Sequence, residues 1–343
     1  MTSVTSRRLL ITFFVAYCVT TLFLGQSIVR SDDQHQALKG PAFTNPLQIM
    51  DMDENWKKQR VKYDSGSEDA DLVISLDQQM YPAFSSIIKE YATNNHINIS
   101  VNNGTCGISS GLLSRKAVDI GGYCCPPGIT DRLPGLRFHT LGISAIALIV
   151  NPVNPVSTIT MDEARRIFMG ELNRWSSLLM SESAKGPNLP IQPVGRLHCK
   201  LRAGHWRLIL DNEDLFSSTL QEVGAIPDMI AQVTGNERAI GYETLWMIHN
   251  FKSKGHVKTL RINGHDPESS EDVISGTYPL YRVYSLTTWE GDGIANPLAQ
   301  KVVDYIMQQV EHMDSKFALI PASRLREAGW KFYGDELVGE PGH

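Results

Sequence analysis

Between Asp71 and Gly122 the pattern runs strand, helix, strand, helix, strand within about fifty residues, the rhythm of a parallel α/β sheet. Nothing else in the chain restricts the fold as tightly. Leu72-Val73-Ile74 is a short apolar strand, after which Tyr81, Phe84, Ile87, Ile88 and Tyr91 recur at helical spacing. Ile97 to Val101 alternates apolar and polar residues, as a half-buried strand does. Gly104-Thr105-Cys106-Gly107 turns into a second helix carrying Ile108, Leu112 and Leu113. Val118-Asp119-Ile120 predicts a further strand that ends at Gly121-Gly122.

The pattern changes at Asn151-Pro152-Val153-Asn154-Pro155, which closes the apolar strand Ile143 to Val150. Two prolines break both helix and ladder, so a domain boundary is expected there. Thr160-Met161-Asp162-Glu163 is a capping box that opens a helix with Ala164, Ile167 and Phe168 on one face. Ala239-Ile240-Gly241-Tyr242 reads as a short strand. Asn296-Pro297 supplies an N-cap and a first-turn proline for a helix with Leu298, Val302, Tyr305 and Ile306.

A chain of 343 residues has room for two domains of ordinary size. Its formal charge is −5, which leaves no basic footprint for nucleic acid, and no polybasic block marks a membrane surface. At the N-terminus, Arg7 and Arg8 precede an apolar run from Leu9 to Leu24, the charged and apolar regions of an export signal. Residues 1–30 are assigned to that signal peptide, and a periplasmic or otherwise exported location follows as an expectation. Residues 31–67 are polar and lack periodicity, and read as a linker or loosely ordered arm. The chain has no nucleophile elbow, zinc-protease motif, P-loop or dinucleotide fingerprint, so a binding protein is expected rather than an enzyme. Of five cysteines, Cys18 lies in the apolar run, leaving Cys106, Cys124, Cys125 and Cys199.

From about Asp71 to Ser323 the chain resembles the periplasmic phosphate-binding proteins of ABC transporters, within the type II periplasmic binding protein fold. The resemblance is carried by Tyr81-Pro82 after the first strand, Gly107-Ile108 through Val118-Asp119-Ile120-Gly121, and Ile167-Phe168-Met169-Gly170 with Trp175. It continues through Arg196, Ala239-Ile240-Gly241-Tyr242, Ile262-Asn263-Gly264, and Ser275-Gly276-Thr277-Tyr278-Pro279-Leu280. The fold it implies is α/β and two-lobed, each lobe a mixed sheet flanked by helices, with a ligand cleft between them. Residues 68–150 plus 243–343 form the first lobe on this basis and residues 151–242 the second.

In that family oxyanions are held by backbone N–H groups and hydroxyls at helix N-termini, where unsatisfied donors and partial positive charge coincide. The corresponding loops here carry Asp77, Gln78, Gln79, Gly104, Thr105, Cys106, Gly107, Asp119, Cys124, Arg196, Lys200 and Arg202, and the resemblance makes these the ligand-binding candidates. Their chemistry has changed. Asp77-Gln78-Gln79 replaces a hydroxyl-rich turn, so a carboxylate stands where an anion would sit. Cys106, Cys124-Cys125 and Cys199 enter three other loops, with His198 and His205 beside the last.

Two functions follow from different classes. The first is an exported solute-binding protein taking a small, possibly anionic ligand and delivering it to an ABC transporter permease. The alternative is a periplasmic metal-binding or redox-partner protein built on the same scaffold, with Cys106, Cys124, Cys125, His198, Cys199 and His205 as metal candidates. The resemblance places Cys106, Cys124 or Cys125, and Cys199 on loops facing one cleft, with Cys199 across it from the others. It so implies one disulfide within the first lobe, from Cys106 to Cys124 or Cys125, leaving a thiol there and Cys199 with His198 opposite. The sequence specifies no cofactor.

Overall fold

The computed structural model describes residues 43–179, 186–197, 208–313 and 318–342. The stretch expected to be a linker or loose arm is docked over its described part. Asp53 caps a short helix α1 (Glu54–Lys58), its carboxylate accepting from the N–H groups of Asn55 and Trp56. The buried ammonium of Lys116 donates to the carbonyls of Trp56, Lys57 and Gln59 at the far end of that helix and lies 4.1 Å from the Trp56 ring centroid. Met50 N–H donates to the Arg132 carbonyl, and Tyr63 OH donates to the Asp119 carboxylate. Scattered side chains hold this segment, with Met50, Met52, Trp56, Val61 and Tyr63 packed against the core at no sustained helical or strand spacing, so periodicity could not reveal it. Replacing Lys116 with Met removes its ammonium from the Lys57 and Gln59 carbonyls and leaves the Trp56 carbonyl with Gln59 N–H. We expect a loss of about 2 kcal/mol, seen as a lower urea midpoint and faster protease cutting within residues 43–70; unchanged values would refute the docking role.

The sheet starts from β1 (Leu72–Asp77), six residues all buried, as in a strand covered on both faces. Helix α2 (Tyr81–Asn95) leads to β2 (Ile99–Gly104), and α3 (Cys106–Ser114) leads to β3 (Ile120–Tyr123). The parallel pairings β1–β2 and β1–β3 realise the expected crossovers. Then come β4 (Leu136–Val150), β5 (Thr158–Ile159), α4 (Met161–Met169), β6 (Gln192–Gly195) and β7 (Gln221–Glu222). They are followed by α5 (Ile226–Thr234), β8 (Ala239–Thr244), α6 (Leu245–Asn250), β9 (Lys258–Ile262), α7 (Ser270–Ile274) and β10 (Tyr281–Trp289). Helix α8 (Pro297–Val310), β11 (Ile320–Pro321), α9 (Ala322–Glu327) and the hairpin β12 (Lys331–Tyr333) and β13 (Glu336–Gly339) complete the described chain.

The principal strand order is β2-β1-β3-β10-β4-β8-β6-β7. The capping box at α4 forms as expected: Thr160 Oγ1 accepts from Glu163 N, and Glu163 Oε2 accepts from Thr160 N. Asn296 likewise caps α8 by accepting from Leu298 N.

Buried apolar side chains form two clusters. One packs β1, β3, α2 and α8 around residues such as Leu76, Phe84, Ile120 and Val302; the other gathers α4, α5 and β8 around Phe168, Ile230 and Ile240. The change of cluster falls inside β4, between Leu141 and Ile143, and inside β10, between Val283 and Tyr284. It does not fall at Asn151-Pro152. These two strands are hydrogen-bonded to each other through the change, with an irregularity between Tyr284 and Ser285. Gly142 sits at this point, where a Cβ would collide with the Ile320 carbonyl oxygen of β11. The C-terminal hairpin is fastened back by a buried ion pair, Arg132 Nη2 to Glu336 Oε1 at 2.6 Å.

Candidate functional site

Strand β1 ends in a carboxylate, and its surroundings follow from the two helices that start beside it. The chain turns at once, so Asp77 Oδ1 accepts from Gln79 N–H at 2.8 Å, two residues on. The other oxygen, Oδ2, accepts from Cys106 N–H at 3.1 Å, at the first turn of α3. Thr105 caps the same helix through Ile108 N–H. Asp77 therefore occupies two backbone donors of the kind that hold anions at helix starts. Burial pushes its carboxyl up to about 7; the charge of Cys124 adds to this, while the Gln79 N–H and the Arg282 guanidinium oppose it.

Three thiols adjoin the carboxylate. Cys106 Sγ lies 3.1 Å from Cys124 Sγ and 4.0 Å from Cys125 Sγ, and all three residues are buried. No disulfide joins them, the 3.1 Å separation being well beyond the roughly 2.05 Å of an S–S bond. The expected cross-link is thus not formed in this structure. Cys106 Sγ points at Asp77 Oδ2, 3.4 Å away. The Arg282 guanidinium, from β10, donates through Nη1 to both the carbonyl and the sulfur of Cys124, at 2.9 and 2.7 Å. Contact with the Cys124 and Cys125 thiols, and then burial, holds the Cys106 thiol well above the usual range. Burial also pushes the Cys124 thiol up, against the Cys106 contact and the Arg282 charge.

A polar chain continues from Gln79 to the end of β6. Gln79 Nε2 donates to Glu243 Oε1 at 3.4 Å, and Gln79 Oε1 accepts from Tyr284 OH at 3.0 Å. Glu243 Oε2 pairs with Arg196 Nη1 at 3.0 Å, and Glu243 Oε1 also accepts from Thr244 N–H. The Arg196 backbone is clamped by Tyr242 OH, which accepts from its N–H and donates to its carbonyl. Arg196 is 1% exposed, and its Nε and Nη2 have no hydrogen-bond partner among the described residues. Arginine lacks any acceptor and stays charged, so these donors suit an oxygen-bearing solute.

The structure thus joins Asp77, Gln79, Cys106, Cys124, Cys125 and Arg196, all expected from the sequence, in one buried network. Gly104 and Thr105 shape its α3 turn, Gln78 is half-buried beside it, and Gly107 is exposed. Asp119 departs from expectation. It precedes β3, at the opposite end of that strand from Cys124, about 16 Å away at 3.3 Å per residue. Its carboxylate is taken up by Tyr63 OH, Val73 N–H and Asn296 Nδ2, so it ties the arm and α8 to the sheet. His198, Cys199, Lys200, Arg202 and His205 lie outside the described residues. Arg282, Glu243 and Tyr284 were not expected. For Arg282 and Glu243 the signal was available as a charge interrupting a wholly buried strand, Tyr281–Trp289 and Ala239–Thr244 respectively; Tyr284 offered none.

Residues 62–310 match the family model described as the PBP superfamily domain. The phosphate-binding protein PstS of Bacillus subtilis (strain 168) is 27% identical over 246 residues, covering 69% of this chain and 75% of that protein. Two solved structures share the fold. A putative phosphate ABC transporter substrate-binding protein with bound phosphate from Clostridium perfringens superposes with a TM-score of 0.60 at 19% identity, covering 73% of this chain and 99% of that one. An ABC-type phosphate transport receptor from Vibrio cholerae gives 0.58 at 18% identity, with the same coverages. The architecture is the two-lobed, mixed α/β type II periplasmic binding protein fold, as the sequence resemblance implied. No helix among the described residues is long and apolar enough to cross a membrane.

Proposed function

Since this chain belongs to the family of the PBP superfamily domain, in its phosphate-binding-protein-like branch, we propose that it is an exported solute-binding protein. It holds one small solute between two lobes, does no chemistry on it, and hands it to the permease of an ABC transporter. The lobes correspond to the two apolar clusters, with β4 and β10 as the hinge near Gly142 and Tyr284. The observation that carries the proposal is Arg196, a fully buried guanidinium with two donors lacking a partner among the described residues. Asp77 limits the ligand: a solute with at most one negative charge, offering oxygen to Arg196, suits the network better than a dianion. An export signal over residues 1–30 and a periplasmic location belong to the same proposal.

The test is a thermal-shift screen of the purified, metal-free chain against small oxyanions and carboxylic acids, followed by calorimetry. The expected result is one-to-one binding by at least one singly charged member. The conservative Arg196→Lys keeps a cation for Glu243 but removes the fork, and should weaken binding by at least about tenfold. A screen with no binder, or a binder indifferent to Arg196→Lys, would overturn the proposal.

A further inference from the structure

The C-terminal segment spans the change of apolar cluster by side-chain contacts, where β4 and β10 span it as continuous backbone. By packing, this segment belongs with Phe168 and Ile240: Ile320, Leu325, Trp330 and Leu337 all lie in that cluster. Strand β11 pairs with β4 at Ile143 and Gly142. Trp330 Nε1 donates to the Ile274 carbonyl at 2.7 Å, and its ring meets Tyr281 edge-on with centroids 5.2 Å apart. Tyr281 OH donates to Glu340 Oε1 at 2.8 Å.

By its polar groups the hairpin is held to the other side. Arg132 stands beside Leu133 and Leu136, which belong with Leu76 and Ile120. Its guanidinium meets Glu336 through two parallel bonds, Nη1 to Oε2 at 3.1 Å and Nη2 to Oε1 at 2.6 Å, and both side chains are buried. Thr44 of the arm also accepts from this guanidinium, through Oγ1 and its carbonyl, so the cation is anchored to the first cluster independently of Glu336. His139 Nδ1 lies 3.0 Å from Asp335 Oδ2. Thr140 N–H donates to the Asp335 carbonyl, and Thr140 Oγ1 accepts from Leu337 N–H, each at 2.9 Å. A rotation of one cluster against the other separates Arg132 and His139 from Tyr281 and Trp330, and the hairpin cannot follow both. In this structure the clusters also touch elsewhere. Helix α6 places Leu245 in one and Trp246 and Met247 in the other, and Trp246 and Phe84 line a cavity of only about 10 Å³.

We propose that the hairpin β12–β13 is a clasp that holds the two lobes together before a solute arrives, with Arg132–Glu336 as the bond that parts when the cleft opens. This rests on the assignment of the two clusters to two lobes made above. A buried, two-bonded ion pair suits the task, because it is directional and a carboxylate drawn from its cation loses its compensation at once. The cleft therefore opens in a discrete step, and the solute reaches Arg196 only in the fraction of molecules whose clasp is open.

The test compares the solute-free full chain with Glu336→Gln, and with Arg132→Met plus Glu336→Gln, which leaves no stranded charge and so keeps the fold. Hydrogen exchange read by mass spectrometry should accelerate at least about tenfold in residues 79–84 and in α6, while β1 and β8 keep the parental protection. Small-angle X-ray scattering should show a larger radius of gyration. Parental exchange and parental radius in the double variant overturn the proposal. Equal acceleration in β1 and β8 also overturns it, because the pair would then only stabilise the fold. The double variant decides the matter if Glu336→Gln alone does not fold. No solute enters these measurements, so a failed solute screen leaves the clasp standing, and a failed clasp leaves the screen standing.

Discussion

Replacing Asp77 with Ser should raise the affinity for inorganic phosphate about 10- to 1000-fold, measured by calorimetry on the metal-free chain at pH 8. Two like charges about 4 Å apart repel by about 1 kcal/mol in water and several-fold more in a desolvated site. Each 1.4 kcal/mol or so is a decade of affinity. The structure adds a second cause, because Asp77 occupies the N–H groups of Gln79 and Cys106 that an anion would use. Serine frees both donors and removes the charge. Sub-micromolar phosphate binding by the unaltered chain would show that Asp77 does not oppose the anion. The same substitution should change the pH profile of stability. With its folded-state carboxyl pushed up to about 7 from an ordinary 3.8, Asp77 binds its proton more tightly in the folded chain than in the unfolded one. Its contribution to stability is therefore full below about pH 4 and is lost as pH rises through 7. The loss is at most about 4 kcal/mol, and Asp77→Ser should flatten the curve between pH 5 and 8.

The second large effect concerns the buried pair Arg196–Glu243, each side chain 1% exposed. Arg196→Met strands the Glu243 carboxylate in the interior and should destabilise the chain by about 3–5 kcal/mol, read as a lower urea midpoint. Adding Glu243→Gln removes the uncompensated charge and should recover a large part of that loss. A double variant as unstable as the single one would show that the cost lies in packing and not in charge.

The sequence made the scaffold legible because each of its devices is local. Thr160 and Glu163 are three residues apart, and Asn296 and Pro297 adjacent, so the spacing alone reports the cap. The site was legible only where a loop of the resemblance carried an unusual residue, as with Asp77 and the cysteines. Arg282 and Glu243 act across 158 and 47 residues, to Cys124 and Arg196, and no local pattern announces such a partner. Asp119 shows the opposite failure. A carboxylate beside a strand suggests a ligand contact, yet its place before β3 turns it toward Tyr63 and Asn296. Position relative to strand direction decides the role, because ligands in such sheets gather at the carboxyl ends of parallel strands.

The strand order also fixes a sequence of events in time. β3 and β4 follow one another closely in the chain but do not pair; β10 lies between them and pairs antiparallel with both. While the chain is being made, β3 waits for that neighbour until about 160 residues later, and its open edge meanwhile offers unpaired N–H and C=O groups. The cluster around Leu76 and Ile120 likewise lacks Tyr284, Leu286 and all of α8 until then. The first cluster is therefore completed only when the last quarter of the chain is made, which leaves a long interval in which the open edge of β3 and the uncovered apolar side chains around Leu76 and Ile120 stay accessible to a partner that binds unfinished sheets.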